Sequence, residues 1–226
     1  FIPQQSTTSI TMSGTNGLSL RFDGDFSASS PYSWQLTALY IYSYGNQVFS
    51  MTGFSESFYD LATMSGAALE RSILAGTDTI TSNSAVGNLW YTYGGDDTIA
   101  LGSGDDTIDA GTGTDTLVLN THSSQATLRG LDDLFSSYSS VQVSSAMGTD
   151  RISNIEILKF IDRSVALSLG NAGNDRLRGD AQSVPNSDVM AGGFGNDTLD
   201  GGLQDDLLSG NANDGQLSGG SRRDTL

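Results

Sequence analysis

No cysteine occurs among the 226 residues, which removes both a disulfide framework and a thiolate metal site as ways of holding the chain together. Basic residues are scarce. Ten Lys+Arg stand against 26 Asp+Glu, a formal net charge of −16, which argues against nucleic acid and anionic membrane surfaces as partners and favours a cation. No apolar run approaches the ~20 residues of a membrane-spanning helix, so no membrane insertion by this segment is expected. The one histidine, His122, falls in a loop, where a surface role is expected rather than a Ser-His-Asp triad. The H-E-x-x-H, G-x-S-x-G and G-x-x-x-x-G-K-[ST] patterns are absent, and no catalysis is expected within this chain. Phe1 is neither an initiator Met nor part of a signal peptide, so the chain is read as processed or excerpted.

Glycine, by contrast, is abundant. With 28 Gly, 16% charged and 37% hydrophobic residues, the composition is that of a turn-rich β protein with a modest core rather than a disordered acidic tail. The glycines are ordered in a repeat. Tyr93-Gly94-Gly95-Asp96-Asp97-Thr98-Ile99 is followed by Gly102-Ser103-Gly104-Asp105-Asp106-Thr107-Ile108 and by Gly111-Thr112-Gly113-Thr114-Asp115-Thr116-Leu117, a step of nine residues. The step returns in Gly192-Gly193-Phe194-Gly195-Asn196-Asp197-Thr198-Leu199, in Gly201-Gly202-Leu203-Gln204-Asp205-Asp206-Leu207-Leu208 and in Gly219-Gly220-Ser221-Arg222-Arg223-Asp224-Thr225-Leu226. Two less regular copies open the arrays, Gly76-Thr77-Asp78-Thr79-Ile80 and Gly173-Asn174-Asp175-Arg176-Leu177, and a four-residue excess precedes Asp188.

Glycine at these positions permits positive φ and close approach to an ion. Aspartate supplies a hard carboxylate oxygen, and the tripeptide after it is a short strand with one inward side chain. The pattern resembles the RTX (repeats-in-toxin) nonapeptide G-G-x-G-x-D-x-U-x, a calcium-binding β-helix repeat. The resemblance implies an all-β fold, a parallel β-roll in which two nonapeptides complete one coil and several Ca²⁺ ions sit between turns two repeats apart. The implied ligands and turn glycines are Asp78, Gly94, Gly95, Asp97, Gly102, Gly104, Asp106, Gly111, Gly113 and Asp115 in the first block. In the second block they are Gly173, Asp175, Asp188, Gly193, Gly195, Asp197, Gly202, Asp206, Gly220 and Asp224. Asp97 and Asp115 are expected on one edge with Asp106 opposite; Asp188, Asp206 and Asp224 align with Asp197 opposite. Asn88 and Gly215 stand where Asp is expected, and Asp214 is a substitute for the latter.

A roll of this kind has one inward side chain per nine residues, little apolar burial against the entropy of ordering the backbone. Its aspartates repel one another by on the order of 1–4 kcal/mol per close pair. Folding is therefore expected to require calcium, and because calcium is scarce in the cytosol it is expected to follow export.

Four regions are expected: an antiparallel β unit over 1–73, a first roll block over 74–120, an intervening or capping β segment over 121–168 and a second roll block over 169–226. Alternation marks Leu18 to Phe22 and Trp34 to Thr37 as strands, Val48 to Met51 is a further strand candidate, and helical propensity marks Gly66 to Leu74 as a short helix leading into the roll. Leu39 to Tyr44 is read as core or sheet, and Asp23-Gly24-Asp25 as an ordinary turn, because Trp34 stands where an EF-hand needs Glu. The segment Gly148 to Asp162, also similar to segments of RTX proteins, is expected to continue or cap the first roll with Ile152, Ile155, Ile157 and Phe160 inward, and Ser136 to Ser145 is read as a loop. The chain stops inside a repeat at Leu226, so the C-terminal cap and export signal usual in the family are read as absent from this sequence. The functional expectation is a secreted, extracellular calcium-binding protein with a structural or cell-surface role and a capacity for self-association. Its rival is the noncatalytic calcium region of a larger exoenzyme or pore-forming toxin.

Overall fold

The computed structural model describes residues 2–5, 9–13, 18–27, 34–43, 46–57, 71–131, 140–179, 187–210 and 215–226. Five antiparallel strands come first: β1 (Ile2–Gln5), β2 (Ser9–Ser13), β3 (Leu18–Asp25), β4 (Gln35–Ser43) and β5 (Asn46–Ser57). The repeats then give β6 (Thr79–Ser82), β7 (Leu89–Tyr91), β8 (Thr98–Ala100), β9 (Thr107–Asp109) and β10 (Thr116–Val118). These strands are short because each nonapeptide spends most of its length turning. Alternate copies pair in parallel, β6 with β8 with β10 and β7 with β9. The fold is thus all-β and its repeats coil into a parallel β-roll.

One apolar residue per strand points inward. Ile80, Ile99 and Leu117 stack in register along one sheet, and Trp90 and Ile108 stack along the other. Ile99 is 0% exposed, so truncation leaves a void that the stacked backbone cannot close. Ile99→Ala is expected to lower stability by about 2–5 kcal/mol in denaturant unfolding at saturating calcium. Thr98→Ala, on the outward-facing position beside it, is expected to change the midpoint little; equal effects from the two would contradict the assigned facing.

The segment after the first array adds β11 (Thr127–Arg129), β12 (Val141–Ser145), β13 (Gly148–Ser153), β14 (Ile157–Lys159) and β15 (Ser164–Leu169). It continues the roll: β13 lies parallel to β9 and β14 parallel to β10, so Ile152 stacks on Ile108 and Leu158 on Leu117. Two expectations need correction. Ile157 is not among the buried core residues; Leu158 takes the inward position at 0% exposure, with Ile155 and Phe160 also buried. The phase slips because the N–H groups of Glu156 and Ile157 both donate to the Asp115 carbonyl, at 3.1 and 2.9 Å, which inserts a bend into the alternation. Of the stretch read as a loop, Val141–Ser145 is strand β12 with Val141 and Val143 buried, and residues 136–139 lie outside the described residues.

Strand β15 runs antiparallel to β14 and then pairs in parallel with β17 (Ser187–Ala191), which pairs with β19 (Leu207–Ser209). Paired residues share a sheet face. Val165 and Leu167 therefore carry the first core's face across to Val189 and Ala191, all members of one buried cluster. Met190 points to the opposite face, where it meets Leu199 and Leu208 in a separate core. The second roll, completed by β16 (Arg176–Arg178), β18 (Thr198–Asp200) and β20 (Gln216–Ser218), thus builds on the far face of the shared sheet.

At the other end the antiparallel strands extend the same sheet, because β5 pairs with β6 and sets Met51 beside Ile80. Phe49 stacks on Trp90 with centroids 5.7 Å apart and closes the first core there. Phe26, Leu36 and Phe54 form the N-terminal cluster. The Asp23 carboxylate is held by Arg21 at 2.7 and 2.9 Å, while Asp25 accepts from the Ser27 N–H. Residues 71–73 are helical and Leu74 is already a turn, while 66–70 of the expected helix lie outside the described residues.

Candidate metal centres along the roll edges

Asp97, Asp106, Asp115, Asp197, Asp206 and Asp224 sit where turn becomes strand, and each side chain reaches back one coil. Asp97 Oδ1 accepts the Asp78 N–H at 2.8 Å, and Asp115 Oδ1 accepts the Asp97 N–H at 2.8 Å. On the opposite edge Asp106 Oδ1 accepts the Asn88 N–H at 2.8 Å. The second roll repeats this: Asp197 reaches Asp175 (2.9 Å) on one edge, and Asp206 reaches Asp188 (2.8 Å) and Asp224 reaches Asp206 (3.2 Å) on the other. The rungs are 18 residues apart wherever the repeat is unbroken, two nonapeptides per coil. Asp214 lies outside the described residues.

A second ladder runs the other way. The residue before the rung aspartate accepts from the next coil: Asp96 Oδ1 from the Thr114 N–H at 2.8 Å, Asp205 Oδ1 from the Arg223 N–H at 3.2 Å, and Asn174 Oδ1 from the Asn196 N–H at 2.9 Å. The nonapeptide pattern marks only the second acid of each Asp-Asp pair. The signal was present in the doublets Asp96-Asp97, Asp105-Asp106 and Asp205-Asp206.

The glycines of these turns line the gap between coils. Gly94 and Gly95 precede Asp97, Gly102 and Gly104 precede Asp106, and Gly111 and Gly113 precede Asp115. In the second roll Gly173 precedes Asp175, Gly193 and Gly195 precede Asp197, Gly202 precedes Asp206 and Gly220 precedes Asp224. The necessity is clearest at Gly113, with φ +147°, where a Cβ would collide with the Gly95 carbonyl oxygen of the coil below. On the Asp188–Asp206–Asp224 edge the corresponding position holds Gln204 (φ 82°) and Arg222 (φ 100°), each carrying strain of about 1–3 kcal/mol for a non-glycine residue.

Both carboxylate oxygens of Asp78, and Oδ2 of Asp97, Asp115 and Asp197, are buried without a hydrogen-bond partner. Such oxygens are costly unless a further ligand or proton satisfies them. Burial pushes Asp78 and Asp115 up to about 7 and Asp150 to about 6, with repulsion from Asp97 adding at Asp78 and from Asp97, Glu156 and Asp96 at Asp115. Burial also raises Asp97 and Glu156. A hard, oxygen-seeking cation fits this donor set, since it contains carboxylates and carbonyls and neither nitrogen nor sulfur ligands. Among the described residues no three His, Cys, Asp or Glu side chains form a cluster of their own. Calcium takes about six to eight oxygens, more than one turn's carboxylates supply.

His122, Ser123 and Asp162 meet near the surface, but not as a triad. Ser123 Oγ donates to Asp162 Oδ2 at 2.7 Å and accepts from Arg163 Nε at 2.8 Å, while His122 Nδ1 lies 3.9 Å from Asp162. The cluster ties the loop at 121–125 to the turn at 160–163, where Ile161 N–H also donates to the Thr121 carbonyl at 3.0 Å.

No curated protein matches the chain. Among solved structures it is similar to the crystal structure of extracellular lipase LipA from Serratia marcescens, at 19% identity and a TM-score of 0.32. That likeness covers 61% of this chain and 26% of the lipase, so the chain spans about a quarter of that structure's length. The family model for the RTX calcium-binding nonapeptide repeat matches residues 91–120, 169–183 and 185–217. Over those residues, with their turns stacked coil on coil, the chain carries the RTX hemolysin-type calcium-binding nonapeptide repeat.

Proposed function

We propose that the chain is the calcium-dependent β-roll region of a secreted protein, unfolded where calcium is scarce and folded once outside the cell. The observation that carries this reading is the column of buried rung carboxylates whose outer oxygens have no hydrogen-bond partner. Among the described residues, no ion pair with Lys, Arg or His neutralises Asp78, Asp97, Asp106 or Asp115. The twenty aspartates and glycines named from the sequence are the proposed ligands and turn residues, and far-UV circular dichroism during calcium titration tests the reading. The proposed units remain 1–73, 74–120, 121–168 and 169–226, with the first roll drawing its last strands from the third.

Within that reading, a structural or cell-surface role is supported by the edge strand β7. Among the described residues it ends its sheet, and it carries Leu89 at 59% and Tyr91 at 42% exposure, with Val86 nearby at 72%. An open apolar strand edge invites pairing with a second copy. Leu89→Lys is expected to shift the calcium-loaded chain toward monomer in sedimentation velocity. A wild-type chain that stays monomeric at high concentration would remove the support for self-association. The same rungs suit the noncatalytic calcium region of a larger exoenzyme or pore-forming toxin, where they would aid folding and export. The full gene product decides between the two: a catalytic or pore-forming domain fused to the roll favours the second, and further adhesin-like β domains favour the first.

A further inference from the structure

We propose that the segment between the two repeat arrays supplies one more calcium rung to each edge of the first roll, through Asp150 and Glu156. The inference rests on the calcium reading above and extends it to residues outside the matched repeats, which end at residue 120 and resume at 169. Asp150 Oδ1 accepts the Asp106 N–H at 3.0 Å although 44 residues separate them, the bond that joins Asp115 to Asp97 across 18. Glu156 Oε2 accepts the Asp115 N–H at 2.8 Å across 41 residues. Strand register agrees: Arg151 pairs with Thr107 and Ile157 with Thr116, which sets Asp150 over Asp106 and Glu156 over Asp115.

The turn before Asp150 reproduces a repeat turn in detail. Gly148 has φ +137° and faces the Gly104 carbonyl, with Asp105 Oδ1 3.2 Å from where a Cβ would lie. Gly113 has φ +147° and faces the Gly95 carbonyl, with Asp96 Oδ1 at the same 3.2 Å. Thr149 N–H donates to Asp105 Oδ1 at 2.8 Å, as Thr114 N–H donates to Asp96 Oδ1 at 2.8 Å. The ladder that runs the other way therefore continues here too.

A separate observation points to a ligand. Asp115 is 0% exposed, its Oδ2 has no partner, and Asp97 Oδ2 on the same edge is likewise buried and unsatisfied. On that edge Asp97, Asp115 and Glu156 follow one another as successive rungs, and on the other Asp150 follows Asp106. Among the described residues none of these carboxylates has a Lys, Arg or His ion-pair partner. A divalent cation held by carboxylates and turn carbonyls is the chemistry that such an arrangement accepts.

Calcium counting by native mass spectrometry on the full chain tests this. Asp150→Asn and Glu156→Gln should each bind one ion fewer than the wild type, and the double variant two fewer. Folded variants with an unchanged count would overturn the proposal while leaving the calcium reading intact. A wild type that binds no calcium would instead sink the calcium reading itself. If the variants do not fold, wild-type crystals soaked in terbium provide the answer. Anomalous peaks between the Asp106 and Asp150 turns and between the Asp115 and Glu156 turns are expected. Peaks confined to the repeat rungs would overturn it.

Discussion

Removing calcium with a chelator is expected to convert the far-UV circular dichroism of this chain from a β-type spectrum to one dominated by coil, and millimolar calcium is expected to restore it. The reason lies in what each nonapeptide offers. One inward side chain, such as Ile108 or Leu117, is buried per repeat, and the neighbouring positions in β8, β9 and β10 face outward or lie only partly covered. Against this stand stacked carboxylates, Asp78, Asp97 and Asp115 on one edge, all buried. Like charges in such a column disfavour the coil-on-coil arrangement until a cation joins them. For sites of extracellular affinity, calcium at 10- to 100-fold excess over the dissociation constant adds roughly 1.4–2.7 kcal/mol per site, and several sites together exceed the stability of a small domain's weakest element. Magnesium is expected to substitute poorly, since it requires a tighter octahedral shell than carbonyl-rich turns provide. Asp106→Ala removes a carboxylate that bonds the Asn88 N–H below while its own N–H bonds Asp150 above, so the calcium titration of that variant should be less cooperative and shifted to higher concentration. A spectrum unchanged by complete metal removal would refute coupled folding.

Much of this was legible because the repeat couples chemistry to geometry at a fixed step. Knowing that Asp97 and Asp115 lie two nonapeptides apart is enough to place them on one edge, and the inward residues follow from the same count. The legibility fails where the step fails. Asp150 and Glu156 occupy rung positions, but the excursion through β11 and β12 lengthens the separation from 18 to 44 and 41 residues, so no periodicity search links them to Asp106 and Asp115. The fragment Gly148-Thr149-Asp150-Arg151-Ile152 matches Gly113-Thr114-Asp115-Thr116-Leu117 in its glycine, acid and apolar positions, and that local match was the available signal. Nothing in the sequence around Ile157 shows that the N–H groups of Glu156 and Ile157 share the Asp115 carbonyl and turn Leu158 inward in its place. Sheet continuity was also hidden. Alternation identifies β3, β4 and β5 as strands, but nothing local says that β5 pairs with β6, or that antiparallel β15 hands the sheet to a roll on its other face. Those are long-range pairings, decided by which apolar faces find each other.

Acidification is expected to stabilise the calcium-free chain, which is the reverse of ordinary acid denaturation. In the folded state burial raises Asp78 and Asp115 from 3.8 to about 7 and Asp150 to about 6. A carboxyl whose folded-state value is raised contributes stability that is complete below the unfolded value and is lost as pH climbs through the folded value. The window therefore runs from about pH 4 to pH 7: metal-free protein at pH 5 should melt on the order of 5–10 °C higher than at pH 8, or gain β signal if it is unfolded at pH 8. Asp25 and Asp162 are held below the usual range by hydrogen bonds involving Ser27 and Ser123, so they act only at lower pH. Calcium reverses the sign, because it binds the ionised carboxylates and must displace their protons; the loaded chain should lose stability as pH falls through the same window. Reduced self-repulsion of a chain at net charge −16 also favours the acid form, and the double variant Asp78→Asn, Asp115→Asn separates the two causes. With Asp78 and Asp115 neutral at every pH and Asp150 still titrating, the metal-free profile should become shallower; a profile as steep as the wild type's would assign the effect to global charge and remove those two buried rungs from the explanation.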